Sequence, residues 1–307
     1  MSADYGFTAW AQGQGVIRHN AETQQRIKAL AEYLLVENKI QHREQFYQCL
    51  QALDVITNQA MWLVAHMTYS KHVYLDGRAL SADDFKQDPQ GHTGGSLNMV
   101  PAFAGFLSAN TLTGQHRDWL MGQGHCVAAI DALQLLTSQA KPARQQDFPL
   151  SDQGLTDFVR AFYSYEVSAN GKPASPLGSH VNVNTKGASI EGGYLGFAAL
   201  QYVHQPLPGE RLVAFLSDGA FEEQRGSDWA ARWWRSEDSG LVCPIMIANG
   251  RRIDQRTMTA QQGDSAWFAE HLAHQGFDPI CIDGRDPAAF VWAIIHMEKT
   301  LAEAAAK

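Results

Sequence analysis

The stretch Leu212-Val-Ala-Phe-Leu-Ser-Asp-Gly219 decides the fold class, because it joins an apolar run directly to a polar turn. A short apolar run bounded by an Asp-Gly pair is typical of a strand buried on both faces. A second run, residues 241–248, ends in the same way at Asn249-Gly250, and residues 222–236 between the two runs have helical composition. This order predicts an α/β fold in which a parallel sheet is flanked by crossover helices.

The same alternation continues towards the C-terminus. Residues 277–282 form another short apolar run, which predicts a third strand, and residues 288–305 predict a closing helix after a proline. Pro244 lacks an amide hydrogen, so we expect it early in its strand or at a sheet edge. Two turn-rich stretches, residues 71–90 and 139–154, are expected to be loops.

The N-terminal part of the chain has a helical pattern. Apolar residues between Asn20 and about Ser70 recur at helical spacing, which predicts amphipathic helices. We therefore expect a helical N-terminal extension over residues 1–85, followed by one ligand-binding domain over residues 86–307.

Composition excludes several classes of function. The 307 residues carry 24 Lys+Arg against 32 Asp+Glu, a formal charge of -8, without a basic run; this argues against nucleic acid or an anionic membrane as the main partner. The four cysteines are widely spaced and form no metal-binding pattern, as expected for reduced thiols. The sequence has no secretion signal and no apolar stretch long enough to span a membrane, so we expect a cytoplasmic protein.

Polar side chains follow both predicted strands. Asp218 and Asn249 lie 31 positions apart (249 minus 218), and the carboxyl ends of parallel strands meet at the edge of the sheet where ligands bind. A carboxylate, a side-chain amide oxygen and a backbone carbonyl near Arg251 would suit Mg²⁺ and leave positions for phosphate oxygens. Asp-Gly and Asn-Gly pairs are also ordinary turn formers, which is the alternative interpretation.

Glycines and histidines add further candidates. The segment Glu191-Gly-Gly-Tyr-Leu-Gly196 would place glycine amides at the start of a helix, where a diphosphate could bind, although close helix packing explains such glycines equally well. His92, His125 and His180 each lie in a Gly- or Ser-rich setting. Each could be a catalytic group that titrates near neutral pH or a hydrogen-bonded structural residue.

Several blocks of the sequence resemble thiamine diphosphate-dependent transketolases and phosphoketolases. Gly91-His-Thr-Gly-Gly-Ser-Leu97 is similar to the transketolase segment Gly-His-Pro-Gly-Gly-Ser-Leu. Met121-Gly-Gln-Gly-His125 is similar to the phosphoketolase segment Met-Gly-x-Gly-His. Ser179-His180, followed by the glycine segment that begins at Glu191, resembles the phosphoketolase block Ser-His…Glu-Gly-Gly-x-Leu-Gly.

Two more blocks complete the resemblance. Asp218-Gly219 with Asn249 resembles the Gly-Asp-Gly…Asn signature for thiamine diphosphate, with Ser217 in place of the first glycine. Asp283-Gly-Arg-Asp286 is similar to the transketolase sequence Asp-Gly-His-Asp. All five blocks occur in family order over about two thirds of the chain, which identifies it as similar to the diphosphate-binding, N-terminal half of the family.

The resemblance implies a role for each matching residue. It implies Mg²⁺ ligands at Asp218, Asn249 and the carbonyl of Arg251. It implies further thiamine diphosphate contacts at the following positions: Gly124, Glu191, Gly192, Gly193, Ser217 and Gly219. It implies catalytic roles for the three histidines and for one acidic residue, either Glu222 or Glu223, because the spacing after the aspartate fits both branches of the family.

The resemblance also implies a partner. In this family a second, pyrimidine-binding domain completes the cofactor site, and only one helix follows Asp286. We therefore expect a split enzyme with two copies of each chain, which transfers a two-carbon ketol unit between sugar-type substrates. The alternatives are phosphoketolase-type cleavage of a ketose phosphate, against which Phe103 stands where phosphoketolases carry a histidine, and a non-catalytic regulatory homologue. Donor and acceptor are left open by the sequence.

Overall fold

The computed structural model describes residues 5–122, 124–140, 142–162, 164, 169, 211–222, 241–252, 255–263 and 265–306. Within these residues the structure has three strands, ten α-helices of four or more residues and a three-residue helical turn, Asp218–Ala220. The helices are α1 (Tyr5–Ala11), α2 (Ala21–Val36), α3 (Arg43–Tyr69), α4 (Thr93–Thr113), α5 (Val127–Leu136), α6 (Pro142–Asp147), α7 (Asp152–Ala161), α8 (Met258–Gln261), α9 (Ser265–His274) and α10 (Pro287–Ala305). The strands are β1 (Asp118–Met121), β2 (Arg211–Ser217) and β3 (Leu241–Ile247).

The N-terminal helices form where the sequence pattern predicts them. The Asn20 side chain accepts a hydrogen bond from the amide of Thr23 at 2.8 Å, which satisfies a free donor of the first turn and starts α2. The apolar stripe of α2 is buried, and the longer helix α3 buries its own stripe in the same way. Burial of one face stabilises helices whose intrinsic propensity alone is marginal.

The sheet is parallel, as the two apolar runs predict. Its described strands lie in the order β1-β2-β3, and Ser217 at the end of β2 is opposite Ile247 at the end of β3. Pro244 lies within β3, which is an outer strand among those described, so its missing amide hydrogen is tolerated there.

Helices cover both faces of the sheet. Side chains alternate along a strand, so Val213 and Phe215 of β2 belong to the main core with α3, α4, α5 and α10. Leu212, Ala214 and Leu216 belong to a second apolar cluster with Leu272 of α9. This layering makes the chain an α/β protein with N-terminal helices, and the fold class predicted from the sequence is confirmed.

Two local predictions are wrong. Residues 277–282 are irregular and do not form a strand. The Arg26 guanidinium donates a hydrogen bond to the carbonyl of Cys281 at 3.1 Å, so this carbonyl is bonded to a side chain instead of a neighbouring strand. The predicted loop over residues 139–154 contains all of α6 and the start of α7. Proline at the first position of α6 is compatible with a helix because that amide has no partner within the helix.

The core is continuous across the predicted domain boundary. Buried residues of α2 and α3 belong to the same cluster as those of α4 and the sheet. The division into residues 1–85 and 86–307 stays a prediction. Within the described part of the chain, no helix combines the length and apolar character needed to cross a bilayer.

Candidate functional site

The carboxylate of Asp218 lies at the carboxyl end of β2 and is completely buried. Its Oδ1 accepts a hydrogen bond from the amide of Gly219 at 2.8 Å, and its Oδ2 accepts one from the amide of Gly250 at 2.7 Å. The second bond comes from the turn that follows β3. The two strand ends predicted to meet are therefore joined directly through this carboxylate.

Asn249 and Arg251 lie on the facing turn. The side-chain oxygen of Asn249 accepts a hydrogen bond from the Arg251 amide at 2.9 Å, which fixes a tight turn of the kind that asparagine favours. A Cβ at Gly219 would lie 3.5 Å from the carbonyl oxygen of Arg251 and 3.3 Å from Cγ of Arg252. The Arg251 carbonyl therefore lies next to the turn that follows β2, at an ordinary van der Waals distance from this position.

This donor set fits a magnesium ion. A carboxylate, an amide oxygen and a backbone carbonyl are the oxygen ligands that Mg²⁺ takes in proteins. Each oxygen of Asp218 accepts a hydrogen bond from a backbone amide, and because a carboxylate oxygen has two lone pairs, such a bond does not by itself prevent metal coordination. In the described residues, no group of three or more His, Cys, Asp or Glu side chains could hold a metal, so a site here would need phosphate and water oxygens as well.

His92 is the N-cap residue of α4, at the end of the loop that precedes this helix. Its Nδ1 accepts a hydrogen bond from the amide of Gly95 at 3.1 Å. Since Nδ1 is an acceptor, the proton of the neutral ring is on Nε2, which is left as a donor. Burial lowers the pKa of His92, so the neutral form predominates at pH 7.

His125 lies beside His92. The two ring centroids are 4.3 Å apart, with the rings in an edge-to-face arrangement. Burial, and next the charge of His92, lower the pKa of His125 to about 4. The structure thus brings together two of the three predicted histidines as a pair of neutral imidazoles.

The histidine pair lies at the same edge of the sheet as Asp218. His125 belongs to a single 3₁₀ turn, Gly124–Cys126, that follows β1, and the amide of Gly122 still donates to the carbonyl of Phe215 in β2 at 2.8 Å. Because β1 and β2 are parallel, the residues after each strand emerge at one edge. Gly124 lies in that turn, and Ser217 is the last residue of β2.

Glu222 follows Asp218 by four residues, just after β2. Its Oε1 accepts a hydrogen bond from the amide of Thr259 at 2.6 Å. Five further candidates lie outside the described residues, and these are His180, Glu191, Gly192, Gly193 and Glu223.

Phe103 and Arg285 are two of the positions where the sequence departs from the motifs that it resembles. Phe103 is 1% exposed and packs edge to face against Trp119 and Phe215, so it belongs to the core. The guanidinium of Arg285 points into solvent and pairs with Asp283. Neither side chain lies among the residues that join the strand ends.

Sequence reasoning missed one buried charged group. His19 Nδ1 is 3.0 Å from Asp286 Oδ2, and His19 Nε2 is 3.0 Å from Asp54 Oδ2. All three residues are buried, and Trp10 stacks on the His19 ring at 4.1 Å. Asp286 also caps α10 through the amide of Ala288. The members of this group lie far apart in the sequence, so no local pattern predicts their contact. Only Asp286 stood out, because an Asp-Pro pair is typical of the start of a helix.

Comparison with known proteins relates this site to one family. The XFP N-terminal domain family matches residues 46–305. A probable phosphoketolase of Lactococcus lactis is 25% identical over 249 residues, which cover 77% of this chain and 28% of that protein. Another, from Rhodopseudomonas palustris, is 24% identical over 249 residues, which cover 78% of this chain and 30% of that protein.

A probable phosphoketolase of Synechococcus elongatus is 25% identical over 275 residues, or 82% of this chain and 32% of that protein. The chain thus spans about a third or less of the length of these relatives. The family match covers most of the chain, including both strand-end turns and the histidine pair. The chain therefore belongs to the XFP N-terminal domain family, the N-terminal half of the thiamine diphosphate-dependent transketolase and phosphoketolase enzymes.

Proposed function

We propose that this chain holds thiamine diphosphate through a divalent cation at the carboxyl edge of β2 and β3. The observation that supports the proposal is the junction of the two turns through Asp218, whose Oδ2 accepts from the amide of Gly250, the residue between Asn249 and Arg251. Asp218, Asn249 and Arg251 would hold the cation. Ser217, Gly219 and Gly124 would approach the diphosphate, with Glu191, Gly192 and Gly193.

The proposed reaction is cleavage of a ketose or ketose phosphate of the phosphoketolase type. When bound, thiamine diphosphate supplies the electron sink for breaking a carbon–carbon bond next to a carbonyl. His92 would donate through Nε2–H to a substrate oxygen, and the neutral His125 ring would accept or return a proton. His180 would complete this set, and Glu223 would be the acidic residue that follows the Asp-Gly turn.

A second candidate is transfer of a two-carbon ketol unit to an aldehyde, as in transketolases. Phe103 favours it, because an apolar ring stands where phosphoketolases carry a histidine. Relatives named phosphoketolase favour the first candidate. The aminopyrimidine part of the site would come from a pyrimidine-binding domain on a partner chain, in a complex with two copies of each chain. An adjacent reading frame that encodes such a domain would identify the partner.

Reconstitution tests the proposal. The chain is mixed with the pyrimidine-domain partner, thiamine diphosphate, Mg²⁺ and a ketose phosphate. Acyl phosphate formed only with added inorganic phosphate would establish the first candidate, whereas a new ketose formed with an aldehyde would establish the second. A complex that binds thiamine diphosphate but forms neither product would favour a regulatory homologue. Failure to bind thiamine diphosphate would contradict the proposal as a whole.

A further inference from the structure

The turn after β3 belongs to a loop that folds back on itself. This 249–259 loop, whose last two residues are the first two of α8, is described for residues 249–252 and 255–259. The amide of Arg252 donates to the carbonyl of Gln255 at 2.8 Å, and the amide of Thr257 donates to the carbonyl of Gly250 at 3.1 Å. These bonds close the loop on itself. Its position relative to the sheet therefore depends on the contacts that its two ends make.

Two carboxylates hold those two ends. Asp218 accepts from the amide of Gly250 at 2.7 Å, at the start of the loop. Glu222 accepts from the amide of Thr259 at 2.6 Å, at its end. Asp218 and Glu222 lie four residues apart (222 minus 218) on the helical turn after β2, a spacing that puts both side chains on one side of the turn.

The surroundings keep Glu222 ionised. Burial opposes ionisation, but the hydrogen bond from the Thr259 amide and the charge of Arg252 outweigh it and lower the pKa of Glu222. A carboxylate that accepts a short hydrogen bond from a backbone amide is a strong, charge-assisted contact. An ionised Glu222 is also a poor proton donor at neutral pH.

We infer that Glu222 is a positioning residue, which holds the 249–259 loop so that Asn249 and the Arg251 carbonyl face Asp218. The expected effect on metal binding rests on the proposed function. The role of Glu222 in holding the loop rests on the loop contacts alone. Without Glu222, the Thr259 end of the loop would lose its anchor to the β2 turn. The oxygens of Asn249 and Arg251 would then sample many positions, and a cation would bind less tightly.

Limited trypsin digestion tests the anchor, because the loop carries Arg251, Arg252 and Arg256. In Glu222→Ala, cleavage after these arginines should be about tenfold faster, because loss of this charge-assisted hydrogen bond lets the loop open more often. Glu222→Gln should stay near the wild-type rate because its amide oxygen can still accept from Thr259. The matched control is Glu270→Ala, an exposed glutamate on α9. Cleavage of Glu222→Ala at the wild-type rate would overturn the inference.

Metal binding tests the consequence, with Mn²⁺ as the probe in the presence of thiamine diphosphate. The Kd for Mn²⁺ should rise about tenfold in Glu222→Ala, equivalent to ~1.4 kcal/mol, and should change little in Glu222→Gln and Glu270→Ala. Loss of the anchor without any change in Mn²⁺ affinity would also overturn the positioning role. If the wild-type chain bound no Mn²⁺, the proposed function would fail, while digestion would still decide the role of Glu222.

Hydrogen exchange on the unmodified chain covers the case in which Glu222→Ala does not fold. The amides of Gly250 and Thr259 should be protected to the same degree as those of β2, because both donate to carboxylates of the β2 turn. A Thr259 amide that exchanges as fast as the exposed loop amides would contradict the anchor without any substitution.

Discussion

The Asp218 carboxylate accepts a hydrogen bond from the Gly250 amide, with 2.7 Å between Oδ2 and the nitrogen. This single contact joins turns that lie 32 residues apart (250 minus 218) and brings the ends of β2 and β3 into one site. The side chain proposed to bind the cation thus also organises the backbone around it. Structural and ligand-binding effects at Asp218 must therefore be measured separately.

Asp218→Ala should lose both the hydrogen bonds that join the two turns and the proposed cation ligand. Two buried amides lose their acceptor, so unfolding free energy should fall by ~1–3 kcal/mol, and binding of thiamine diphosphate with Mg²⁺ should become undetectable by calorimetry. Asp218→Asn keeps one acceptor oxygen and should be more stable than Asp218→Ala but still deficient in Mg²⁺. The exposed Asp83→Ala serves as the control. Full cofactor affinity in Asp218→Ala would exclude the metal assignment.

Gly95→Ala should disturb the histidine pair. The added Cβ would lie 2.6 Å from His92 Nδ1 and 2.9 Å from Cys126 Sγ, so the His92 ring must move and the N-cap of α4 is lost. We expect a loss of ~1 kcal/mol in stability and a clear change in the His92 NMR signals. Gly94→Ala is the matched control, because nothing lies within 4 Å of its Cβ. Equal spectra for both variants would contradict the observed packing.

His125 should titrate at a pH of about 4 in NMR spectra. Its folded pKa is below the unfolded value near 6.5, so the unfolded chain takes up a proton first. Stability from this group is complete above about pH 6.5 and falls as the pH drops towards 4. His92→Asn keeps a capping acceptor, removes the neighbouring imidazole and should raise the His125 pKa. Titration of wild-type His125 near pH 6.5 would contradict this prediction.

The buried His19 group should give the opposite pH dependence. Burial alone lowers the pKa of His19, but hydrogen bonds to Asp286 and Asp54 and their charges outweigh it and raise the pKa to about 9. The unfolded chain, with a pKa near 6.5, loses its proton first as the pH rises. The stabilisation is therefore complete below about pH 6.5 and is lost as the pH rises through 9.

Replacement of His19 checks this directly. His19→Gln should cost ~3–5 kcal/mol, because it leaves two carboxylates buried without a cation. His116→Gln removes a histidine that pairs with Asp118 on the surface and should cost less than ~1 kcal/mol. Urea denaturation between pH 6 and pH 9.5 measures both effects. A pH-independent stability of the wild-type chain over this range would contradict the charged state assigned to His19.

Much of the fold follows from the sequence alone. Apolar runs ending in Asp218-Gly219 and Asn249-Gly250 predicted two parallel strands and a shared ligand edge, because side-chain burial and turn chemistry are local properties. The helical pattern of the N-terminal part was equally local. The run at residues 277–282 misled, since an apolar segment becomes a strand only where a neighbouring strand takes its backbone groups.

Tertiary structure alone decided how the site residues meet. His92 and His125 are 33 positions apart (125 minus 92), and their edge-to-face contact depends on α4 packing beside the turn after β1. The hydrogen bond between Glu222 and Thr259 spans 37 positions. The contacts of His19 with Asp54 and Asp286 span 35 and 267 positions. Composition and periodicity indicate which side chains prefer burial or a turn. They do not indicate which partner a buried polar group binds, because that is decided only when distant segments pack together.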